Sequence, residues 1–344
     1  MKKLLSCLLV CTLLFTACTK PETLNTTYLP TILGVQKQDE SFALTLGGYV
    51  PAKDESTPAA FETQTIGTQH ILQGFHENDL SCSMLSALAV DLESAKKGLY
   101  HIYSSFISND EATSGMYLVL CKDIEEILDP SVNEKEDLST FLENSTVAIP
   151  TLIGYDIAMR TPAEGVVVPI VSVDEQKQFQ ISQGAVFCGD AFRGTVQGDV
   201  LHYIQLLNKE DVQLLLSFDT GESSGLVQTK LTCDVALHPK NDRYVFEVTI
   251  FADGMLLETD NTKQVQIERI EHELIQSIRA NCSSAIRQAK DCSTDVFGFT
   301  RLIAAMDRQY DADELTELFL NGEVLINIQL SIHNLSQVQS ETQY

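Results

Sequence analysis

Apolar residues recur most regularly in residues 264–333 of the chain. From residue 267 to 289 they are spaced three or four positions apart, which predicts one buried helix face formed by Ile267, Ile270, Leu274, Ile278, Cys282, Ala285 and Ala289. In residues 324–332 they occupy every second position, which predicts a strand with one face in water. Residues 295–299 interrupt the helical pattern, and a second helix follows them. The block as a whole predicts packing rather than catalysis.

The residues that precede this block predict shorter elements. Short apolar runs predict strands at residues 31–35, 42–50 and 117–121. Residues 138–144 complete a helix that begins in an acidic, polar stretch, and residues 60–75 show weak helical periodicity.

The pattern changes after residues 161–165, whose composition is typical of a loop. Strands are expected at residues 166–173 and 184–188. Residues 189–198 are rich in glycine and predict a turn region, and residues 208–213 predict a short helical turn.

Residues 226–237 and 244–251 form two long alternating strands, joined by a polar stretch that contains Pro239. This arrangement predicts a hairpin. Along the chain, strands are followed by helices without regular βαβ alternation. We therefore expect an α+β fold with more than one domain, in which mixed or antiparallel sheets are flanked by helices.

The first residues predict export and attachment to a membrane. Lys2 and Lys3 precede an apolar run, residues 4–15, which is too short to cross a bilayer and is typical of a signal peptide. The run ends in Leu-Phe-Thr-Ala-Cys, which resembles a bacterial lipobox with Cys18 as the lipid attachment residue. Two acyl chains on Cys18 would give stable anchoring, whereas one alone anchors only marginally. The alternative is an ordinary signal peptide in which Cys18 has no role.

These patterns divide the chain into six expected segments. They are a signal peptide (1–17), a lipidated tether (18–30), an N-terminal domain (31–163), a middle segment (164–222), a C-terminal domain (223–336) and a tail (337–344).

Charge and motif spacing argue against several classes of function. The formal net charge of −25 argues against nucleic acid, which needs clustered Lys and Arg, and against adsorption to an anionic membrane by charge alone. The seven histidines show no metal-ligand spacing, and no glycine loop has the phosphate-binding pattern. We expect no cofactor and no metal.

The cysteines leave two alternatives open. Six lie after the leader, without C-x-x-C spacing, so zinc ligation has little support: Cys82, Cys121, Cys188, Cys233, Cys282 and Cys292. Export makes disulfides possible. Most of these residues nevertheless lie in apolar runs, which favours buried thiols.

Residues 221–225 match the G-x-S-x-G pattern, in which Ser223 would be a nucleophile. That chemistry needs a strand entering the turn and a helix leaving it. The alternating residues 226–237 leave it here, so a loop between strands is the better interpretation and no catalytic residue is predicted.

Several segments, taken in order, resemble the Ger(x)C family, the lipoprotein C subunits of bacterial spore nutrient-germinant receptors. Besides the lipobox, they are Val119 to Leu128 with its Lys-Asp-Ile-Glu-Glu-Ile-Leu ending, Gly184-Ala185-Val186-Phe187, Ala285 to Lys290, Asp295-Val296-Phe297-Gly298-Phe299, Arg308-Gln309-Tyr310 and the final strand at 323–333. The chain departs from the family pattern after the lipid cysteine, where it has Thr19-Lys20, and at residues 81–83.

The resemblance implies a non-enzymatic, lipid-anchored (palmitate-bearing) subunit on the outer face of the spore inner membrane. Its partners would be A-type and B-type germinant-receptor membrane subunits, with no nucleic acid. Asp295, Phe297, Gly298 and Phe299 would be structural, with both phenylalanines buried and Gly298 allowing a close approach. The alternative is a lipid-anchored solute-binding protein, which needs two similar lobes; the strand-then-helix order after Gly165 argues against it.

Overall fold

A computed structural model describes residues 28–50, 60–78, 80–107, 115–161, 163–240, 243–259 and 266–334. Within these residues the first sheet has eight strands: β1 (Leu29–Gln38), β2 (Ser41–Val50), β3 (Ala60–Thr68), β4 (Ala87–Asp91), β5 (Tyr117–Cys121), β6 (Gly165–Val173), β7 (Phe179–Cys188) and β8 (Ala191–Gln197). Their order is β3-β2-β1-β4-β5-β6-β7-β8. Strands β1, β4, β5 and β6 are parallel, and the strands outside them are antiparallel, so the sheet is mixed.

Helices cover both faces of this sheet. They are α1 (Ile71–Glu77), α2 (Leu92–Ala95), α3 (Tyr100–Ile107), α4 (Ile124–Ile127), α5 (Pro130–Asn133), α6 (Leu138–Asn144) and α7 (Leu152–Arg160). In β5, Leu118 and Leu120 pack in the core with α1, α3 and α7, whereas Val119 and Cys121 pack in the core with α4 to α6. A strand buried on both faces needs apolar residues at every position, which explains the continuous apolar run.

The second sheet consists, in the described residues, of β9 (Val212–Asp219), β10 (Ser224–Lys240), β11 (Arg243–Thr259) and β12 (Glu323–Asn334), in the order β12-β11-β10-β9. Strand β12 is parallel to β11, and the other pairs are antiparallel. Four helices accompany it: α8 (Leu201–Leu207), α9 (Ile267–Asp291), α10 (Phe299–Met306) and α11 (Ala312–Asn321). Within the described residues the helices cover one face of this sheet, so the strands alternate as the sequence predicted.

Helix α9 is the element around which this half of the chain is organised. The predicted face is confirmed, since six of its seven residues are buried; Ile267 is half-buried, and Ile286 is an additional buried residue. One hydrophobic cluster joins α9 to β7, β11 and α8, so the two sheets share a core.

Side chains of α9 also cap strand edges. Glu271 accepts a hydrogen bond from the Ile332 amide of β12 at 3.1 Å, and Glu273 accepts one from the Asp219 amide of β9 at 2.9 Å. At the edge of the first sheet, the Gln288 side chain accepts from the Gln197 amide at 2.8 Å. Occupied edge amides cannot pair with another strand, which protects the edges from edge-to-edge association.

Three local expectations were wrong. Residues 60–75 are the edge strand β3 followed by α1, because pairing with β2 outweighs a weak helical pattern. The turn region expected at residues 189–198 is largely strand β8, where Gly194 has φ 153° and a Cβ there would lie 2.8 Å from Cys292 Sγ. The helix expected at residues 208–213 lies earlier, at α8.

The six cysteines of the described region are free, and all but Cys188 are buried, as the preference for thiols predicted. The expected α+β class with mixed sheets is confirmed. The division into domains stays a prediction. Strand β6, which opens the expected middle segment, pairs with β5 of the expected N-terminal domain. Cys18 and the segments 1–17 and 337–344 lie outside the described residues.

Candidate functional site

The motif at residues 295–299 forms the turn between α9 and α10. Asp295, which is 1% exposed, accepts hydrogen bonds from the amide of Phe297 at 3.0 Å, the amide of Thr300 at 2.6 Å and the hydroxyl of Thr300 at 2.8 Å. Its carboxylate thus caps the first turn of α10, where negative charge is favourable. Burial raises the pKa of Asp295, and the hydrogen bonds from Thr300 and Phe297 oppose that rise.

Gly298 precedes α10 in a left-handed conformation, with φ 73°. A side chain there would be strained, and its Cβ would lie 2.2 Å from Nη2 of Arg301. The expected close approach therefore exists, but it is made by a guanidinium rather than by backbone.

Phe297 and Phe299 are 3% and 1% exposed, which confirms the prediction that both are buried. Phe299 stacks on Phe246 of β11 at a centroid distance of 4.8 Å, and Phe297 lies 6.3 Å from Phe319 of α11. These rings attach the motif to the second sheet and to the following helix, because aromatic pairs at such distances add to the area they bury.

Lys290, at the end of α9, fastens the same region from the other side. Its Nζ donates to the carbonyl oxygens of Leu320 at 3.0 Å and Gly322 at 2.7 Å, and lies 5.7 Å from the centroid of Phe319. A cation at the C-terminal carbonyls of α11 complements the helix dipole. Lys290 belongs to the segment that carries the family resemblance.

The motif is also attached to the first sheet. The Gly165 amide, at the start of β6, donates to the Asp295 carbonyl oxygen at 2.8 Å, and Glu164 and Asp295 form an isolated β-bridge. The motif is therefore a junction between the two sheets.

A cleft of about 350 Å³ opens beside this junction. It lies between the chain that enters α7, strand β6, helix α8 and the motif. Its walls are mainly apolar, with Val147, Ile149, Ile157, Leu201, Ile204 and Val296 among the lining residues. Glu164, Asn208 and Arg301 form its polar end. A concave, apolar site with a few convergent polar groups is the usual form of a small-ligand site.

Charge is concentrated at that polar end. Nε of Arg301 lies 2.8 Å from Oε1 of Glu164, but its N–H is not directed at this oxygen, which is buried and accepts no hydrogen bond. Instead, Nη2 of Arg301 donates to Oδ1 of Asn208 at 3.2 Å. Burial raises the pKa of Glu164; Arg301 opposes the rise, and Asp295 adds to it.

The sequence did not identify Glu164, Asn208 and Arg301. They lie far apart along the chain in no recognised spacing, and Glu164 and Asn208 occupy ordinary loop positions. The signal that finds them is the burial of Glu164, which is 8% exposed. That property appears only in the folded chain.

Ser223 lies in the turn between β9 and β10, so a strand leaves the G-x-S-x-G sequence, as the alternation predicted. Its amide donates to Thr220 Oγ1 at 3.1 Å within that turn. The strand-turn-helix that exposes a nucleophile is not formed here.

Across the described part of the chain, no group of three or more His, Cys, Asp or Glu side chains could hold a metal ion. Among the same residues, no helix combines the length and the apolar character that a membrane span requires.

Comparison with known proteins finds sequence similarity over the C-terminal part of the chain and similarity of fold over most of it. Residues 182–336 match the family described as spore germination B3/GerAC like, C-terminal. The fold is similar to the crystal structure of the GerBC protein, with a TM-score of 0.57 and 12% sequence identity, over 88% of this chain and 97% of that chain. No curated protein sequence matches the chain. The family match contains α9, the motif and β12, which are among the segments that carry the resemblance.

Proposed function

We propose that this chain, whose residues 182–336 match the family described as spore germination B3/GerAC like, C-terminal, is the C subunit of a nutrient-germinant receptor. The family match to those residues is the observation that carries the proposal. The fold supports it, because a GerBC-like arrangement extends over most of the chain and includes the first sheet.

The proposed role is structural rather than enzymatic. The residues that resemble the family serve in packing: Asp295 caps a helix, Phe297 and Phe299 fill a core, and Lys290 closes a helix end. A scaffold of this kind presents a surface to A-type and B-type membrane subunits.

A Ser223→Ala variant should leave germination unchanged. Loss of the germination response in that variant would instead favour the hydrolase alternative.

Attachment to the membrane is assigned to a lipid on Cys18. The lipobox-like sequence supports this, and we expect the protein to lie on the outer face of the spore inner membrane. The test is detergent-phase partition of wild type and Cys18→Ala. Cys11→Ala is the matched control, since it changes a leader cysteine outside the lipobox-like sequence. Equal partition of all three chains would mean that lipidation does not retain the protein.

The receptor role itself is tested by deletion in a strain that lacks paralogous receptors. Spores should then lose the response to at least one nutrient, and the chain should co-purify with A-type and B-type subunits. A normal response to every nutrient would refute the assignment.

The solute-binding alternative fits the fold poorly. It requires two similar lobes around a central cleft, whereas in the described residues the two sheets differ in strand number and order. The cleft described above lies between α7, β6, α8 and the motif. It does not lie between two matched lobes.

A further inference from the structure

We propose that two copies of this chain associate through β12, whose outer edge pairs antiparallel with the same edge of the second copy about a two-fold axis at Asn327. This inference goes beyond the receptor assignment and does not rest on it, because the pairing is measured on the purified chain.

The outer edge of β12 carries main-chain groups that face away from the sheet. Strand β12 is the last strand of its sheet and, among the described residues, pairs with β11 alone. The Ile332 amide donates to Glu271 of α9 rather than to β11, so it points outward. Main-chain groups of a strand alternate in direction. Outward-facing amides and carbonyls are therefore also contributed by Val324, Ile326, Ile328 and Leu330.

Side chains of α9 close the two ends of this edge and leave its middle open. Glu271 occupies the Ile332 amide, and Lys290 donates to the carbonyl oxygen of Gly322, the residue before β12, at 2.7 Å. Between these two points, no donor or acceptor in the described part of the chain bonds to the outward main-chain groups of residues 324–330. We call residues 324–330 the open edge.

The open edge lacks the features that usually prevent edge strands from pairing. Such strands are protected by charged side chains, proline, β-bulges or short length. Residues 324–332 contain no Asp, Glu, Lys, Arg or Pro, and β12 pairs with β11 without a register shift over its 12 residues. The open edge is therefore long, regular and uncharged.

Apolar side chains accompany the open edge on both faces of the sheet. On the outer face, Leu325 is 45% exposed. A strand placed alongside would cover these side chains, and burial is favourable in proportion to the apolar area removed from water. On the inner face, the half-buried side chains are those of Val324, Ile326, Ile328 and Leu330.

A second copy of the chain matches this edge in sequence. With Asn327 on the axis, antiparallel pairing places Val324 opposite Leu330. It also places Ile326 opposite Ile328. Apolar residues therefore meet across the new pair of strands on the inner face, and such cross-strand pairs stabilise a sheet.

Charges at the ends of the open edge favour the antiparallel orientation. In this register the end that carries Glu271 in each copy lies beside the end that carries Lys290 in the other. A parallel partner would bring like charges together, which is unfavourable. The net charge of −25 opposes association at long range, but salt screens charges beyond about 8 Å at physiological ionic strength.

The first test is analytical ultracentrifugation of the full chain in detergent at physiological ionic strength, where we expect a reversible equilibrium between monomer and dimer. Ile328→Pro removes an outward amide from the open edge, a change that an edge strand tolerates. It should weaken the dimer by about 10-fold or more, because each copy loses one hydrogen bond.

The matched control for this variant lies on the opposite edge of the same sheet. The Asp219 amide of β9 donates to Glu273, so the Leu215 amide, four residues earlier, also points outward. Leu215→Pro therefore removes an equivalent amide from β9 and should leave the dimer unchanged. Both proline variants share the same detergent, so an effect of the micelle would appear in both.

Cysteine cross-linking tests the register independently of the proline variants. On the axis, residue 327 of the two copies would have a Cα separation of about 4.5 Å, which permits a disulfide. Asn327→Cys should therefore give a covalent dimer on a non-reducing gel after oxidation with copper phenanthroline. Gln329→Cys is the control, because the same register separates the two copies of residue 329 by about 14 Å. Wild type measures the background from the native cysteines.

A monomer at every concentration, or equal cross-linking of Asn327→Cys and Gln329→Cys, would overturn the proposal. Loss of the dimer in Leu215→Pro but not in Ile328→Pro would assign the interface to β9 instead. Dimerisation only after deletion of residues 337–344 would also count against it, because the full chain would then not use this edge for a second copy.

Discussion

Replacement of Asp295 should reveal how much of the junction depends on one carboxylate. In Asp295→Ala, the amides of Phe297 and Thr300 and the hydroxyl of Thr300 lose their acceptor in a buried site. A buried donor left unsatisfied costs about 1–3 kcal/mol. The variant also removes a buried ionised carboxylate, which is itself costly to bury, so we use the lower end of this range for each donor. Three donors at about 1 kcal/mol each predict a loss of roughly 3 kcal/mol in the free energy of unfolding.

Asp295→Asn separates shape from hydrogen bonding. An asparagine retains one acceptor oxygen, so it can serve either Phe297 or Thr300, and its amide group then faces the remaining donor. We expect a loss of about 2 kcal/mol, although the side chain has nearly the same volume.

Equilibrium urea unfolding of the full chain, followed by circular dichroism, measures both values. Asp234→Ala is the control, since Asp234 is exposed on β10 and its loss should change stability by about 0.5 kcal/mol or less. If Asp295→Ala and Asp295→Asn both remained within that range, the capping role derived for Asp295 would be wrong.

Three further outcomes follow from the same region. Gly298→Ala should destabilise the chain by about 1–2 kcal/mol, because residue 298 has a positive φ. The control Gly67→Ala lies at an open position of β3 and should stabilise the chain by about 0.5 kcal/mol. Equal urea midpoints for the two variants would contradict this prediction. Lys290→Met should lower the free energy of unfolding by about 2 kcal/mol, because it loses the hydrogen bonds to the end of α11. The control Lys230→Met removes an exposed ion pair and should lower it by about 0.5 kcal/mol or less. A larger loss for Lys230→Met than for Lys290→Met would refute this prediction. Glu164 has a folded-state pKa above its unfolded value, so the folded state binds the proton more tightly. Its contribution to stability is therefore present at acid pH and is lost as pH rises from about 4 through the raised pKa. Urea unfolding across pH should accordingly show that Glu164→Gln gains stability relative to wild type as pH rises. If the variant instead lost stability relative to wild type, the pKa of Glu164 would not be raised by burial.

Local periodicity carried the sequence predictions that the structure confirmed. The buried face of α9, the alternation of β12 and the interruption at residues 295–299 each depend on a few neighbouring residues and on the periods of helix and strand. The glycine-rich stretch that becomes β8 shows the limit, because Gly194 lies within the strand, where it allows close packing against Cys292 rather than forming a turn.

The candidate site could not be predicted in the same way. Glu164 and Arg301 meet because the turn after α9 pairs with the residue before β6, and no short-range pattern records that bridge. The burial of Glu164 depends on the elements that cover it, and this burial raises the pKa of its carboxyl group.

By itself, the sequence determined the buried face of α9, the alternation of the long strands and the family that the chain resembles, because these follow from spacing and from ordered motifs. Only the tertiary structure decided how the sheets are joined, where the cleft opens and which charges meet there. Those features arise from contacts between residues far apart in the chain, and their energies depend on burial, which exists only after folding.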